Sequence, residues 1–247
     1  MDSIALYSIK GGVGKTASAV NLAALSAIHG RRTLLWDLDP QGATSWYLEA
    51  EPVRDPGLKR LFKGKGLKGL VRKTAYRNLE VLPAGPAYRD MDLALHDMKR
   101  SRKRMAEVVE KLGKHYDTLV IDAPPGLSLV SDNIFRAADT LLVPLIPTWL
   151  SARSYHQLLE HLAAQGIPTH RVQAFLTMVD RRRRVHQRFR EELGRDINAL
   201  LPVDVPYASL VERMGEDGRP LVYSHPRSAP AQAYAALWRS LDERMLP

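Results

Sequence analysis

The feature that most constrains this 247-residue chain is a glycine-rich stretch near its start, Ser8-Ile9-Lys10-Gly11-Gly12-Val13-Gly14-Lys15-Thr16. An apolar run at residues 4–7 precedes it, and a segment with helical spacing follows it. The order is therefore strand, tight loop and helix. Three glycines within residues 11–14 let the loop curl with its N–H groups inward, and the positive end of the helix dipole adds to them, so the stretch is suited to hold phosphate groups.

Lys15 and Thr16 give this loop its chemistry. In loops of this kind the lysine reaches the β- and γ-phosphates of a nucleotide, and the hydroxyl ligates Mg²⁺. The usual pattern, G-x-x-x-x-G-K-[ST], has a glycine where this chain has Ile9, and a second lysine follows here. A glycine-rich turn that binds nothing is the alternative. We expect a nucleotide to contact Lys10, Gly11, Gly12, Val13, Gly14, Lys15, Thr16 and Ala17.

Aspartates follow two predicted strands. Residues 33–36 form an unbroken apolar run, typical of a buried parallel strand, and lead into Asp37 and Asp39. Residues 118–121 lead in the same way into Asp122, the position of a Walker B carboxylate. Ligands of open parallel sheets bind at the carboxyl ends of the strands, so these aspartates are placed to touch Mg²⁺ or the attacking water. Taken alone, the first pair would indicate only a polar turn.

Apolar segments alternate with segments of helical spacing along the rest of the chain. Such alternation predicts an α/β fold, a P-loop NTPase with a mostly parallel, twisted sheet and helices on both faces. The length and a hydrophobic content of 45% suit a single domain over residues 1–247. Strands are predicted at 79–83, 140–143, 174–178 and, as a short extended piece, 202–206; helices are predicted at 17–29, 89–112, 154–164, 185–193 and 229–245.

Composition narrows the function classes. The chain has no cysteine, which removes disulfides, thiolate zinc sites, iron–sulfur clusters and cysteine nucleophiles. It shows no signal-peptide signature and no apolar stretch near the roughly 18 residues of a membrane span, so we expect a cytoplasmic protein. The formal charge of +9 favours nucleic acid as a polyanionic partner, with an anionic membrane surface second.

Lysines and arginines are concentrated in three runs. Two of them lie at residues 54–77, where glycines are interleaved, and at residues 99–104. The third begins with the consecutive arginines 181–184 and continues to Arg188 and Arg190. Each run is a candidate contact for a polyanion, although a solvated surface is the commoner explanation of such runs.

Three segments together carry a resemblance to a known family: the loop, Asp37-Leu38-Asp39-Pro40-Gln41-Gly42, and Asp122-Ala123-Pro124-Pro125. The chain resembles the ParA/MinD family of deviant Walker A ATPases, and most closely the ParA-type partition ATPases that lack an N-terminal helix-turn-helix domain. The similarity extends to residues 176–182, 218–222 and 231–234. Departures are small: Ser8 stands where asparagine is usual, and Ala17 where a second threonine is common.

The resemblance implies an enzyme that hydrolyses ATP to ADP and phosphate as a sandwich dimer, with ATP and Mg²⁺ as cofactors. Lys10 is then the signature lysine, which reaches the partner subunit's ATP in the manner of an arginine finger. Lys10, Lys15 and Asp39 are the implied catalytic residues, and Asp39 orients the attacking water. The implied metal site consists of Thr16, Asp37 and Asp122.

The resemblance also implies partners. The ATP-bound homodimer is expected to bind DNA non-specifically, and a ParB-like or adaptor protein to stimulate hydrolysis, so that a nucleoid-associated protein segregates or positions DNA or another cargo. The sequence does not identify the cargo. Because the family's DNA-binding arginines lie in its C-terminal half, the expected DNA contacts are Arg181, Arg182, Arg184, Arg188, Arg219 and Arg227.

Two other functions stay open. A MinD-like positioning ATPase would use a C-terminal amphipathic membrane helix, whereas the last helix here is expected to pack on the core, so we expect no stable membrane insertion. An ATP-dependent metabolic ligase or amidotransferase should show acid–base residues beyond the phosphate site, and the sequence identifies none. The related nitrogenase iron protein needs cysteines to ligate its cluster and is therefore excluded.

Overall fold

The computed structural model describes residues 1–53, 55–193, 197 and 199–245, and within them one eight-stranded sheet organises the chain. Its strands are β1 (Asp2–Leu6), β2 (Thr33–Asp37), β3 (Arg72–Lys73), β4 (Leu79–Leu82), β5 (Thr118–Asp122), β6 (Thr140–Leu145), β7 (Val172–Val179) and β8 (Leu200–Pro206). Their order across the sheet is β3-β4-β2-β5-β1-β6-β7-β8. Neighbouring strands are parallel except β3, which is antiparallel to β4. The predicted, mostly parallel sheet is confirmed.

Helices connect these strands. They are α1 (Lys15–Ile28), α2 (Ala43–Tyr47), α3 (Leu58–Leu61), α4 (Leu67–Leu70), α5 (Met91–His96), α6 (Arg104–Leu112), α7 (Leu129–Ala137), α8 (Trp149–Ala164), α9 (Arg184–Leu193), α10 (Ser209–Glu212), α11 (Met214–Asp217), α12 (Leu221–Ser224) and α13 (Ala229–Met245). Short 3-10 turns lie at Pro86–Asp90, Ser101–Lys103 and Thr169–Arg171. None of the described helices is long and apolar enough to cross a membrane.

Alternate strand residues face two separate core layers. In β5, Leu119 and Ile121 pack in one layer and Val120 packs in the other. Helices α3 and α5–α9 cover the first layer, and α1 and α10–α13 cover the second. Helices therefore lie on both faces of the sheet, as the alternation predicts. The central strands β2 and β5 are buried along their whole length, which is why both are unbroken apolar runs in the sequence.

The strand order brings the three informative segments of the sequence together. β5 lies between β2 and β1, and all three strands are parallel. The glycine-rich loop leaves β1, Asp37 ends β2 and Asp122 ends β5. Because the carboxyl ends of parallel strands lie at the same edge of a sheet, the loop and both aspartates share one site.

The single helix predicted over residues 89–112 is wrong. The structure contains α5 and α6 with an interruption between them. Arg100 has a φ of 58°, in the left-handed region, which a continuous helix does not allow. Met98 is 8% exposed, so the interruption is anchored in the core. A continuous helix would also place Lys99 and Lys103 one turn apart, where like charges repel each other.

The last helix, α13, packs against α1 and β8. Tyr234, Leu237, Trp238 and Leu241 are all buried on that side. The guanidinium of Arg31 lies 5.7 Å from the centre of the Trp238 ring. The same group forms ion pairs with Asp2 at 2.7 Å and Asp242 at 2.5 Å, which join both ends of the described chain to the end of α1. The apolar side of α13 is thus used by the core, as expected from the sequence.

Replacing Trp238 with alanine should destabilise the fold strongly, because the ring is completely buried between α13 and α1. A buried tryptophan truncated to alanine costs about 3–5 kcal/mol in the free energy of unfolding. The matched control is Trp149→Ala, whose side chain is 57% exposed and should cost less than about 1 kcal/mol. Urea denaturation of both variants measures the difference, and equal losses would show that α13 does not close the core.

Candidate nucleotide-binding site

The glycine-rich loop has the conformation of a phosphate-binding turn. Gly12 and Gly14 have φ values of 72° and 80°, in the left-handed region where a side chain is strained. A Cβ added at Gly11 or Gly12 would meet nothing within 4 Å, so both positions border open space. Helix α1 begins at Lys15 with no side-chain cap on its first N–H groups. These uncapped donors and the helix dipole favour an anion at this end of α1.

Asp37 and Asp122 lie side by side at the ends of β2 and β5. The two residues are direct partners in the parallel register, and both are fully buried. Residues of helix α2 donate hydrogen bonds to both carboxylates. The backbone N–H and the hydroxyl of Ser45 donate to Asp37 Oδ2 at 2.9 and 2.6 Å, and the hydroxyl of Thr44 donates to Asp122 Oδ2 at 2.7 Å. One turn of helix therefore binds both carboxylates.

Burial dominates the electrostatics of this pair. Burial, with the negative charge of Asp122 as a second cause, raises the pKa of Asp37 to about 7, and hydrogen bonds from Ser45 and Asp39 limit the increase. Burial also raises the pKa of Asp122 to about 6, against the hydroxyls of Thr44 and Thr16 and the charge of Lys15, which favour the ionised form. Burial lowers the pKa of the Lys15 ammonium, while Asp122 and Asp39 raise it. The two buried aspartates therefore carry more negative charge than the Lys15 ammonium can balance, in a site with little access to solvent.

The donor set fits a magnesium ion bound with a nucleotide. Asp122 Oδ1 is buried and accepts no hydrogen bond from any residue that the structure describes. Both oxygens of Asp37 already accept hydrogen bonds, from Asp39 N at 3.2 Å and from Ser45. Asp122 and the Thr16 hydroxyl are therefore the groups best placed to hold Mg²⁺. Asp37 binds α2 beside them, and its expected role as a metal ligand stays a prediction. Mg²⁺ in such sites takes one or two protein ligands and completes its shell with phosphates and water.

No dedicated metal cluster is needed for this assignment. The described residues contain no group of three or more His, Asp or Glu side chains that could hold a metal by themselves. His161 of α8 is partly buried and lies 2.7 Å from Asp132 Oδ1 of α7, so it joins two helices of the fold.

Asp39 and Lys10 lie at the rim of the site. Asp39 is half-buried, and its Oδ1 accepts from Gln41 N at 3.0 Å. The Lys10 ammonium donates to the carbonyl oxygen of Leu150 at 3.3 Å, next to the start of α8. The main-chain N–H of Lys10 donates to the Ser8 hydroxyl at 3.3 Å. The two lysines of the loop thus point in different directions: Lys15 is buried inside the site, and Lys10 extends toward α8.

The arginines expected to contact DNA do not form one patch. Arg188 lies on α9, whose Phe189 packs in one core layer, whereas Arg219 precedes α12, which packs in the other layer. Arg182 is 3.1 Å from Asp180 and Arg188 is 3.5 Å from Glu192. The neighbouring Arg190 pairs with Asp204 of β8. Arg181 and Arg184 are exposed next to them, and Arg227 precedes α13.

Sequence reasoning missed Thr44, Ser45 and Leu150. Thr44 and Ser45 lie shortly after the aspartate segment, and hydroxyl groups can donate to nearby carboxylates, so their position was a usable signal. Leu150 contributes only a backbone carbonyl and is separated from Lys10 by 140 positions in the sequence, so no sequence pattern could indicate this contact.

Known proteins are similar to this chain in sequence. The AAA_31 family, an AAA domain, matches residues 1–167. The chain is 32% identical over 251 residues to the chromosome partitioning protein ParA of Myxococcus xanthus, an alignment that covers 99% of this chain and 89% of that protein. It is 30% identical over 241 residues to the sporulation initiation inhibitor protein Soj of Bacillus subtilis, with 95% of each protein covered.

Solved structures are similar in fold. The septum site-determining protein MinD of Pyrococcus horikoshii, complexed with Mg-ADP, has a TM-score of 0.79 at 22% identity and covers 98% of this chain and 96% of its own. Cobyrinic acid a,c-diamide synthase of Mycobacterium smegmatis, with a bound ATP analogue and magnesium, has a TM-score of 0.85 at 24% identity and covers 100% and 96%. At these identities the likeness concerns the fold alone, and it confirms the predicted P-loop NTPase fold.

Replacing Asp122 with asparagine should stabilise the nucleotide-free protein at pH 8. A carboxyl whose pKa is raised by folding contributes stability at low pH and loses it as the pH rises through the folded value, here about 6. Removing the charge should therefore raise the free energy of unfolding by about 3 kcal/mol at pH 8 and by about half as much at pH 5. Thermal denaturation at both pH values measures this, and Mg²⁺ with ATP should no longer stabilise the variant.

The control for this prediction is Asp39→Asn, which removes a carboxylate that is half-exposed at the rim. The dependence of its thermal stability on pH should change far less than that of Asp122→Asn, because burial is the largest cause of the raised pKa of Asp122 and the charge of Asp39 is the smallest. If Asp122→Asn lowered the stability at pH 8, the buried pair would not be the source of the excess negative charge.

Proposed function

The chain belongs to the ParA/MinD family of deviant Walker A ATPases, and on that basis we propose that it is an ATP-driven switch. ATP closes a homodimer, and the dimer binds DNA without sequence preference. A ParB-like or adaptor protein then stimulates hydrolysis to ADP and phosphate and so releases the DNA. The protein is cytoplasmic and nucleoid-associated in this proposal, and it segregates or positions DNA or another cargo.

The observation that carries the proposal is the open oxygen of Asp122 next to the start of α1. A buried carboxylate oxygen without a donor is costly unless a cation satisfies it. Lys15 and the uncapped N–H groups of α1 supply the charge and the donors for the phosphates that accompany such a cation. Bound Mg²⁺ would neutralise negative charge on the β- and γ-phosphates.

Asp39 is the group proposed to orient the attacking water. Its backbone N–H donates to Asp37, and its Oδ1 accepts from Gln41, so the side chain is held in one orientation. In the described structure no hydrogen bond to Oδ2 of Asp39 is found, which leaves that atom available to a water molecule. The position of a water nucleophile determines the rate of phosphoryl transfer more than proton removal does.

Lys10 is proposed to act on the nucleotide of the partner subunit. Among the described residues its ammonium has one hydrogen bond, which is long, at 3.3 Å, and goes to the carbonyl of the exposed Leu150. A phosphate oxygen carries more negative charge than a carbonyl oxygen, so the ammonium gains electrostatic energy when it exchanges this bond for one to a phosphate. The ammonium would then stabilise charge that develops between the β- and γ-phosphates.

The alternatives gain no support from these observations. The likeness to a diamide synthase concerns the fold alone. A membrane-associated switch would need an unused apolar helix face, whereas the apolar residues of α13 pack on α1. DNA is therefore the polyanion that we propose.

Lys15→Ala and Asp39→Ala should fail at different steps. Lys15→Ala should abolish ATP binding, because a compact ammonium on the phosphates has no substitute. Asp39→Ala should bind ATP with affinity near that of the wild type and hydrolyse it at least about 10²-fold more slowly, because the water loses its orientation. Equilibrium binding of a fluorescent ATP analogue and steady-state phosphate release separate the steps. Wild-type turnover by Asp39→Ala would assign the water to another group.

Lys10→Ala should retain ATP binding by the monomer and lose ATP-dependent dimerisation, because this lysine is proposed to act across the interface. Analytical ultracentrifugation with a non-hydrolysable ATP analogue measures the dimer fraction. Lys114→Ala, at an exposed lysine after α6, is the control and should dimerise as the wild type does. An unimpaired dimer of Lys10→Ala would remove the case for a sandwich dimer with this lysine at its centre.

A further inference from the structure

A second concentration of positive charge lies away from the nucleotide site. Residues 56–78 contain no aspartate or glutamate but eight lysines and arginines: Lys59, Arg60, Lys63, Lys65, Lys68, Arg72, Lys73 and Arg77. The segment leads through α3, α4 and β3, which is the edge strand and is separated from β5 by β4 and β2. The proposed ATPase chemistry uses none of these side chains.

The segment is folded with its apolar residues inward and its cations outward. Leu61 and Phe62 are fully buried in the core layer that also contains α5 and α6, and Leu67 packs against the same layer. Lys63 and Lys65 are exposed between them. The buried apolar side chains fix the backbone of this segment, while its exposed lysines remain in contact with water. The positive charge therefore lies on a folded surface and not on a disordered loop.

Specific contacts join this segment to the basic residues after α5. The Lys59 ammonium is 3.0 Å from Asp97, which directly follows α5 and precedes Lys99 and Arg100 by two and three positions. The Lys111 ammonium donates to the carbonyl of Lys63 at 2.6 Å and so ties the end of α6 to the same loop. We call the exposed cations that these contacts unite the edge surface: Lys63, Lys65, Lys68, Lys99 and Arg100.

The cations of the edge surface are free of carboxylates, unlike several of the C-terminal arginines. No ion pair of Lys63, Lys65 or Lys68 occurs in the part of the chain that the structure describes. Arg182 and Arg188, by contrast, each pair with a nearby carboxylate. A free cation gains the full release of condensed counterions when it meets a phosphate backbone, whereas a paired one must first give up its partner.

We propose that the edge surface binds the phosphate backbone of duplex DNA. This inference rests on the DNA-binding part of the proposed function and assigns it to a surface in the N-terminal half of the chain. Contacts of lysine ammonium groups with phosphates carry no sequence information, so such binding is indifferent to sequence. One surface of this kind binds weakly. A dimer presents two of them to the same duplex, and the second contact then forms at a high effective concentration.

DNA fits the edge surface better than a lipid bilayer does. Stable attachment of a folded protein to a membrane combines basic residues with exposed apolar side chains that enter the interface. None of the large exposed hydrophobic residues of the described chain falls within residues 56–78 or 97–104, although Leu93 of α5 lies one turn before Asp97. Leu61 and Phe62 are turned into the core. The surface therefore offers charge without apolar anchors, which is what a phosphate backbone requires.

The test compares two triple variants that remove the same charge. The first is Lys63→Gln, Lys65→Gln, Lys68→Gln, and the second is Arg182→Gln, Arg184→Gln, Arg188→Gln. Binding to a fluorescent duplex of arbitrary sequence is measured by anisotropy with a non-hydrolysable ATP analogue, with ADP and without nucleotide, over a series of salt concentrations. The lysine variant should lose about tenfold or more in affinity with the ATP analogue, and the slope of log K against log salt should fall by about 0.9 for each lost contact.

Three further results decide the inference. Lys63→Arg, Lys65→Arg, Lys68→Arg keeps the charge and should bind DNA as the wild type does, and all triple variants should keep the basal ATPase rate. If the wild type binds DNA and the lysine-to-glutamine variant has the same affinity and salt slope, the edge surface is not the DNA site, while the proposed function stands. If the wild type binds no DNA in any nucleotide state, the DNA part of the proposed function fails first.

The membrane alternative is decided with the same proteins. Sedimentation with vesicles of phosphatidylserine and phosphatidylcholine should retain little of the wild type with any nucleotide. Retention of the wild type on these vesicles, lost in the lysine-to-glutamine variant while DNA binding is unchanged, would assign the edge surface to anionic lipid and overturn the proposal.

Discussion

The structure of the site depends on two aspartates that are buried side by side. Asp37 and Asp122 end neighbouring parallel strands in direct register, at a depth where burial alone raises the pKa of each. Parallel strands leave no freedom to separate them, because their register is fixed by the sheet on both sides. Hydroxyl and backbone donors from α2 offset part of the free-energy cost of burying the two carboxylates, and the Lys15 ammonium offsets another part. These donors leave Asp122 Oδ1 without a hydrogen bond. A buried carboxylate oxygen without a partner favours the binding of a cation, together with the phosphates that accompany it.

The same helix that supports the aspartates also reaches the protein surface. Thr44 and Ser45 bind the two carboxylates, and the next residue of α2, Trp46, is 70% exposed while its indole N–H donates to the carbonyl of Gly215 at 2.9 Å. Asp39 lies one short turn before α2. A cation bound at Asp37 and Asp122 would therefore act directly on α2. This five-residue helix contacts the buried aspartates at one side and Gly215 of the C-terminal segment at the other, and it follows Asp39 closely in the chain.

The sequence predicted the parts of the fold that rest on local pattern. β2 and β5 were found because a strand buried on both faces must be apolar throughout, and the loop was found because its glycines and Lys15 have few other uses. The helix over residues 89–112 was wrong because apolar spacing does not register the left-handed turn at Arg100. Pairings such as that of Arg190 with Asp204 join separate elements, so they could not be predicted without the sheet order.

The departure of the loop from the usual pattern also has a structural reason. Ile9 stands where the pattern has its first glycine, and its side chain packs against the core layer that contains Val143 and Leu145 of β6. A glycine there would leave the start of the loop without an anchor. With Ile9 held, the backbone of Lys10 is fixed, its N–H bonds to Ser8, and its side chain is directed toward α8 and not into the loop. The phosphate-binding turn needs its flexibility only from Gly11 onward, so the chain can use position 9 to aim a second lysine.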